Sequence, residues 1–96
     1  MKKEKLFNLI TKCDSSIKQG GLRCSGYFKE NKENEPLITI ITTIKNGDIF
    51  FEEALKSLRE QKYQNFEHIV IDGNSTDQTL EIIKMNEKHI DYWVSL

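Results

Sequence analysis

The chain has 96 residues, with 14 basic against 15 acidic side chains, a formal net charge of −1, and 38% hydrophobic, 30% charged and 9% aromatic residues. That length holds one small domain, which buries only about 60–68% of the surface of its unfolded chain. The apolar residues cluster in periodic runs, which argues against low-complexity disorder, and the balanced charge supplies no basic stripe for nucleic acid. The longest mostly apolar stretch, Leu37 to Ile44, is interrupted by Thr39, Thr42 and Thr43, where a membrane-spanning helix needs about 20 residues.

The opening MKKEKLFNLITKC is basic, but its short apolar patch is broken by Asn8, so it does not read as a signal peptide. Cys13 and Cys24 show no CxxC spacing and no nearby histidine. Without a secretion signal they are expected as reduced thiols in a cytoplasmic protein, and no zinc site is expected. Leu6, Ile10, Cys13 and Ile17 recur at helical spacing, predicting an amphipathic helix over 3–18 that ends at Gly20-Gly21. Such a helix props the domain or contacts a partner or membrane surface. Residues 29–35, KENKENE, followed by the only proline, Pro36, read as a surface connector. The chain thus divides into an N-terminal helix and connector (1–35) and a second segment (36–96).

From Pro36 the pattern sharpens. LITIITTI (37–44) predicts a strand covered on both faces. Asn46-Gly47-Asp48 is a turn in which Asp48 can cap the next helix. Phe51, Ala54, Leu55 and Leu58 form one apolar face of a helix over 49–61, with Glu52 and Lys56 paired on the exposed side. FEHIVID (66–72) is a second strand, and the turn Asp72-Gly73-Asn74-Ser75-Thr76 leads into a helix that Ser75 and Gln78 cap as a box and Leu80 and Ile83 bury. IDYWVSL (90–96) is a third strand, with Tyr92 and Trp93 on opposite faces and one of them in the core. Strand, helix, strand, helix, strand predicts an α/β fold: a Rossmann-like half domain with a parallel sheet and right-handed crossovers.

In open α/β sheets ligands sit outside the carboxyl ends of the strands. Here those ends are Thr43-Ile44-Lys45-Asn46-Gly47 and Asp72-Gly73-Asn74-Ser75-Thr76. A carboxylate at a strand end can accept hydrogen bonds from a base N–H or from ribose hydroxyls. Equally, Asp72-Gly73 can be a tight turn and Asn74 or Ser75 a helix cap. GxGxxG and GxxxxGK[ST] are both missing, which removes most support for dinucleotide cofactors and P-loop hydrolysis. Glu52 and Glu53 are helical neighbours pointing apart, so they form no acid/base pair. His68 lies within a strand as a packed or hydrogen-bonded residue, and His89 is expected at the surface. Asn74-Ser75-Thr76 spells a glycosylation sequon, which has no meaning in a chain that is not secreted.

The run from Pro36 to Leu96 resembles the N-terminal part of family 2 glycosyltransferases, which have the three-layer GT-A fold. The residues that carry the likeness are the strand ending at Asn46-Gly47, EEALKSLREQKYQNFE, IVIDGNSTDQT and IDYWVS. GGLRCSGYFK (20–29) looks like the lead-in of bacterial enzymes that build surface polysaccharides. The resemblance implies binding of the nucleotide of an activated sugar, a UDP- or dTDP-sugar, with UDP the commoner. It assigns Thr43, Lys45, Asn46 and Asp72 to the nucleotide, Asp72 to the base edge, and Gly73, Asn74, Ser75 and Thr76 to the loop that shapes the site. Lys45 stands where the family often has a base-stacking tyrosine. The family's Asp-x-Asp motif, which binds a divalent metal (Mn or Mg), and its catalytic base come later than Leu96. No catalytic residue and no cofactor are therefore expected within this chain, which by this reading is truncated and inactive alone. The first strand would show a bare edge and invite self-association. The rival readings are a non-catalytic remnant or interaction module, and a flavodoxin-like or receiver-like domain. The latter is disfavoured because the loop after the first strand has no phosphate-cradling glycines or hydroxyls and no paired acids. The expected location is the cytoplasm, peripheral to the inner membrane where the acceptor demands it.

Overall fold

The computed structural model describes Cys13 and residues 16–96. In chain order these form strand β1 (Gln19–Gly20), a 3-10 turn (Leu22–Ser25), β2 (Ile38–Ile44), helix α1 (Asp48–Arg59), β3 (Phe66–Asp72), α2 (Thr79–Met85), a 3-10 turn (Glu87–His89) and β4 (Tyr92–Ser95). The expected helix over 3–18 lies almost wholly outside the described residues. The described part, residues 16–18, is turn and bend.

The strands are built from β-branched runs, ITIITTI in β2 and HIVI within β3, which favour the pleated backbone. They form one sheet in the order β1-β4-β3-β2. β2 runs parallel to β3 along its whole length, Ile38 opposite Phe66 through Ile44 opposite Asp72. β3 runs parallel to β4, with Val70 opposite Trp93 and Asp72 opposite Ser95. β1 adds an antiparallel edge through Gln19–Val94 and Gly20–Trp93. Two successive parallel steps in one direction, made with the same hand, put both crossover helices on one face. α1 and α2 indeed touch each other. Between them and the sheet lies the core of Phe51, Leu55, Val70, Ile83, Ile90 and Trp93.

This one-sided layering corrects the expectation that the first strand is covered on both faces. Along β3 the residues facing the helices, His68, Val70 and Asp72, are buried, whereas Ile69 and Ile71 on the other face are half-exposed. In β2 the contrast is stronger, and Ile41 is 61% exposed. Among the described residues β2 also pairs only with β3, which leaves its outer edge open there, as the sequence predicted. Ala54, expected on the buried face of α1, is exposed, whereas Phe51 and Leu55 are buried. Trp93 is the core member of its pair. Tyr92 faces the other side, where its hydroxyl donates to Gln19 Oε1 at 2.5 Å.

Gly20 and Gly21 do not end a helix. Gly20 pairs with β4, and Gly21 takes φ 105° with its backbone against Ile90 and Asp91. A Cβ at Gly21 would stand 2.9 Å from both of those carbonyl oxygens, so only glycine fits this crossing. Leu22 and Arg23 then donate their N–H groups to the Ile90 and Asp91 carbonyls, and the Arg23 guanidinium pairs with Glu67. Lys29, at the start of the polar connector, donates to the Phe66 carbonyl at 2.8 Å and to Asp91 Oδ2 at 3.1 Å. Cys13 and Cys24 are joined in a disulfide, with Cα atoms 5.6 Å apart, a separation within the bridgeable range. That overturns the expectation of reduced thiols. Sequence spacing alone does not show that residues 11 positions apart meet in the fold.

His68 is packed as expected. Its N–H donates to Asp91 Oδ2 at 2.7 Å, and its Nε2 meets Thr42 Oγ1 at 2.7 Å. Burial holds the imidazole below its ordinary value, with Lys29 adding to that and Asp91 offsetting part of it.

Two tests follow from this packing. Phe51→Ala should lower the unfolding free energy by about 3–5 kcal/mol, and Phe50→Ala, at a residue 78% exposed, by no more than about 0.5 kcal/mol. Urea denaturation at an unchanged slope reads both. For His68, the unfolded chain takes up a proton near pH 6.5 that the folded chain refuses. Its contribution is therefore fully present above about pH 6.5 and is lost as the pH falls from there towards the lower folded value. The urea midpoint of the wild type should fall over that window, and the fall should be smaller in His68→Gln.

Candidate functional site

β2 and β3 end in register, and the loops after them form one structure. The Gly73 N–H donates to the Ile44 carbonyl at 2.8 Å, carrying the parallel ladder one step past the strands. Both loops then turn through an asparagine in the left-handed region, Asn46 at φ 49° and Asn74 at φ 56°. Asparagine is one of the few side chains that tolerate that conformation. Gly47, the next residue of the turn, has φ −127°.

Asp72 is fully buried at the end of the central strand. Its Oδ1 accepts from the Ser75 hydroxyl at 2.5 Å. Its Oδ2 accepts from the Ser75 N–H at 3.2 Å and from the Ser95 hydroxyl at 2.7 Å. Ser75 Oγ in turn accepts from the Asn46 N–H at 2.8 Å. The Asn46 side chain returns the link, its Oδ1 accepting from the Thr76 N–H at 2.8 Å and the Asp77 N–H at 3.3 Å. Asp72, Asn46 and Ser75, three of the residues singled out in the sequence, are thus brought together in one set of hydrogen bonds.

The capping box does not form. α2 starts at Thr79, and Asp77 takes the capping role, its Oδ1 accepting from the Thr79 N–H at 2.9 Å and from the Thr79 hydroxyl at 2.5 Å. The Thr79 hydrogen bonds hold the Asp77 carboxyl below its ordinary value, against a smaller opposing effect of burial. Thr79 Oγ1 also accepts from the Gly47 N–H at 3.1 Å, a second tie between the two loops. Asp77, Thr79 and Ser95 were missed by sequence reasoning. The signal for Asp77 was an acid two residues before the helix, and Ser95 becomes visible only once the third strand is set opposite Asp72.

Beside this latch lies a shallow cleft of about 270 Å³ lined by Thr43, Ile44, Lys45, Ile71 and Gly73. It joins three of the sequence-predicted residues on the face of the sheet turned away from the helices. A Cβ built on Gly73 would rest 3.6 Å from Lys45 Cβ and 3.8 Å from its Cδ, so the missing side chain leaves room along the lysine stem. The volume lies just under the range of about 300–1,000 Å³ typical of ligand pockets. Among the described residues, no three His, Cys, Asp or Glu side chains converge to hold a metal ion. No helix among the described residues is long and apolar enough to cross a membrane.

Comparison with known proteins gives this arrangement a lineage. The sequence profile described as glycosyl transferase family 2 matches residues 39–94, more than half of the chain and both loops of the latch. An uncharacterized glycosyltransferase of Haemophilus influenzae is 44% identical over 50 residues, covering 52% of this chain and 20% of that protein. A putative teichuronic acid biosynthesis glycosyltransferase, TuaG, of Bacillus subtilis is 33% identical over 54 residues, covering 56% of this chain and 21% of its own length. The GalNAc(5)-diNAcBac-PP-undecaprenol beta-1,3-glucosyltransferase of Campylobacter jejuni is 32% identical over 56 residues, covering 58% and 18%. The matched segment thus spans about a fifth of the length of these relatives. With its mostly parallel sheet, its crossover helices and a profile match that takes in the ends of β2 and β3, the chain belongs to glycosyl transferase family 2.

Proposed function

We propose that this chain carries the part of a sugar-transferring domain that binds the nucleotide of an activated donor, a UDP- or dTDP-sugar. The observation that supports this most is the cleft of Thr43, Lys45 and Gly73 at the carboxyl ends of adjacent parallel strands, the position where open α/β sheets receive ligands. In this reading the base lies over Ile71 and along the Lys45 stem, with the ammonium towards phosphate and Asn46 at the rim. Asp72 acts from beneath. A carboxylate has about four lone-pair sites, so Oδ1 retains one beyond the Ser75 hydroxyl. A ring N–H at the strand end meets that remaining site, with the Ser75 bond kept.

Transfer itself needs an activated acceptor hydroxyl and stabilisation of the departing diphosphate. The sequence contains no Asp-x-Asp run, and the chain alone is expected to bind donor without transferring sugar. The relatives named for teichuronic acid biosynthesis and for an undecaprenol-linked substrate support a cell-surface polysaccharide as the destination.

Titrating the isotope-labelled chain with UDP should move the amide signals of Lys45, Asn46 and Gly73 to Ser75 saturably. Gly73→Ala, whose methyl would fill the space along Lys45 without close contact, should weaken UDP binding several-fold at an unchanged urea midpoint. Asp72→Asn should weaken it about tenfold, the loss of one charge-assisted hydrogen bond. Silence from UDP and dTDP at millimolar concentration would overturn the proposal in favour of a module that keeps the fold without binding nucleotide, a reading favoured by the complete internal bonding of Asp72.

The open edge of β2 supports a further property, self-association of the chain by strand pairing. Gel filtration should show an apparent mass that rises with concentration. Ile41→Lys, which puts a charge on the exposed face beside that edge, should shift the elution towards monomer. A concentration-independent monomer would overturn it.

A further inference from the structure

β3 has a second end, about 20 Å from the nucleotide cleft at roughly 3.3 Å per residue. There a cavity of about 360 Å³ opens between the carboxyl end of α1, the start of β3, the turn before β4 and the N-terminal lead-in. Its apolar wall comes from Leu55, Leu58 and Phe66, and its charged groups are Lys29, Arg59 and Lys88, with no acid among the lining residues. Lys29 is neutralised by Asp91. Arg59 spends one N–H on Asn86 Oδ1 at 3.2 Å, and neither Arg59 nor Lys88 has an ion-pair partner among the described residues.

Both helices end on this side, and basic residues in last turns answer the partial negative charge of helix carboxyl ends. That accounts for exposed cations but not for the floor of the cavity. His68 lines it, is 1% exposed, and has an Nδ1 with no hydrogen-bond partner among the described residues. A buried unpaired ring nitrogen is destabilising, a cost removed when a ligand atom meets it. If Thr42 donates to Nε2, Nδ1 carries the proton and is a donor.

We propose that this cavity is a second binding site, for a small organic anion: one carboxylate or phosphate on an apolar body. The anionic group sits between Arg59 and Lys88, the apolar body lies against Leu55, Leu58 and Phe66, and a polar atom meets His68 Nδ1. The volume falls at the lower end of the ligand-pocket range, which limits the body to about the size of one ring. The site shares no lining residue with the nucleotide cleft, so it stands or falls independently of the proposed donor binding.

The test titrates the isotope-labelled full chain with phenyl phosphate, benzoate and the neutral benzyl alcohol, each to tens of millimolar. Saturable shifts at Leu58, Arg59, His68 and Lys88 are expected from one or both anions and not from the alcohol, with Asn46 and Ser75 unmoved. The preferred anion tells phosphate from carboxylate. Arg59 and Lys88 are exposed, so Arg59→Ala and Lys88→Ala should fold as the wild type does. Each should weaken the anion about fivefold, the factor supplied by one ion pair of roughly 1 kcal/mol. A bound anion should also move the His68 ring nitrogen signals, which a purely superficial ion cloud would leave alone. Equal binding of benzyl alcohol, unchanged affinity in both variants, or no saturable shift with any probe would overturn the proposal.

Discussion

A carboxylate with no exposure to water constrains the rest of this molecule's functional end. Asp72 lies at the last position of the central strand, under both neighbouring loops. A buried charge is tolerated only when it is well hydrogen-bonded. The donors that meet this requirement come from the loop after β3, through Ser75, and from the adjacent strand, through Ser95. To bring Ser75 back over the strand end the chain turns through Asn74 in the left-handed region. The same serine oxygen that donates to Asp72 accepts from Asn46, so the need of one acid fixes the loop of the neighbouring strand as well. Asp77 and Thr79 extend the tie to the start of α1 through Gly47. The loops that border the cleft are held by this network and not by apolar packing, so their geometry is set before any ligand arrives.

The layering of the sheet has a similar single cause. Because β2, β3 and β4 follow one another in one direction across the sheet, both helices pack on one face. The core that results is small, six side chains among the described residues, with Val70 and Trp93 contributed by the sheet. The other face keeps Ile41 largely in water, while Glu67 on that face is covered by its pairing with Arg23 and the hydroxyl of Thr39. A β-branched, apolar strand such as ITIITTI reads as an interior strand because its composition does not register which face the helices cover. In this chain its outer edge and one face are open, and the cleft of Thr43, Lys45 and Gly73 lies on that same face.

Much of this was legible in the sequence, and the failures have physical reasons. The β-branched runs and the spacing of Phe51, Leu55 and Leu58 predicted the strand and helix order, with β3 found at the predicted bounds Phe66–Asp72. Asp72, Asn46 and Ser75 were placed at strand ends, where they are found. The lead-in was misread because local pattern does not reveal long-range pairing: Gly20 and Gly21 look like a helix stop, yet they serve an edge strand and a backbone crossing. The bond between Cys13 and Cys24 was missed for the same reason. The capping box failed because Ser75 had a stronger partner in Asp72 than in a helix N–H, which left the cap to Asp77. A propensity rule ranks local choices, and a buried carboxylate outranks them.

The polarity of a parallel sheet organises the chemistry that remains. Each crossover returns its helix against the strand direction, so helix starts and strand ends collect at one side of the sheet, and helix ends and strand starts at the other. On the first side unpaired backbone N–H groups are plentiful, and they are taken up by Asn46, Ser75, Asp77 and Thr79 oxygens. On the second side carbonyls predominate, and the sequence answers them with Lys29, Arg59 and Lys88 around the start of β3. Lys29 shows how this works in detail: its ammonium accepts no bond but donates to the Phe66 carbonyl and to Asp91 while resting 5.3 Å from the Phe66 ring centroid. The two ends of one strand therefore face opposite electrostatic demands, donors in search of oxygen at Asp72 and oxygens in search of cations at Phe66. A short chain built from two crossovers inherits both environments without any residue having to create them.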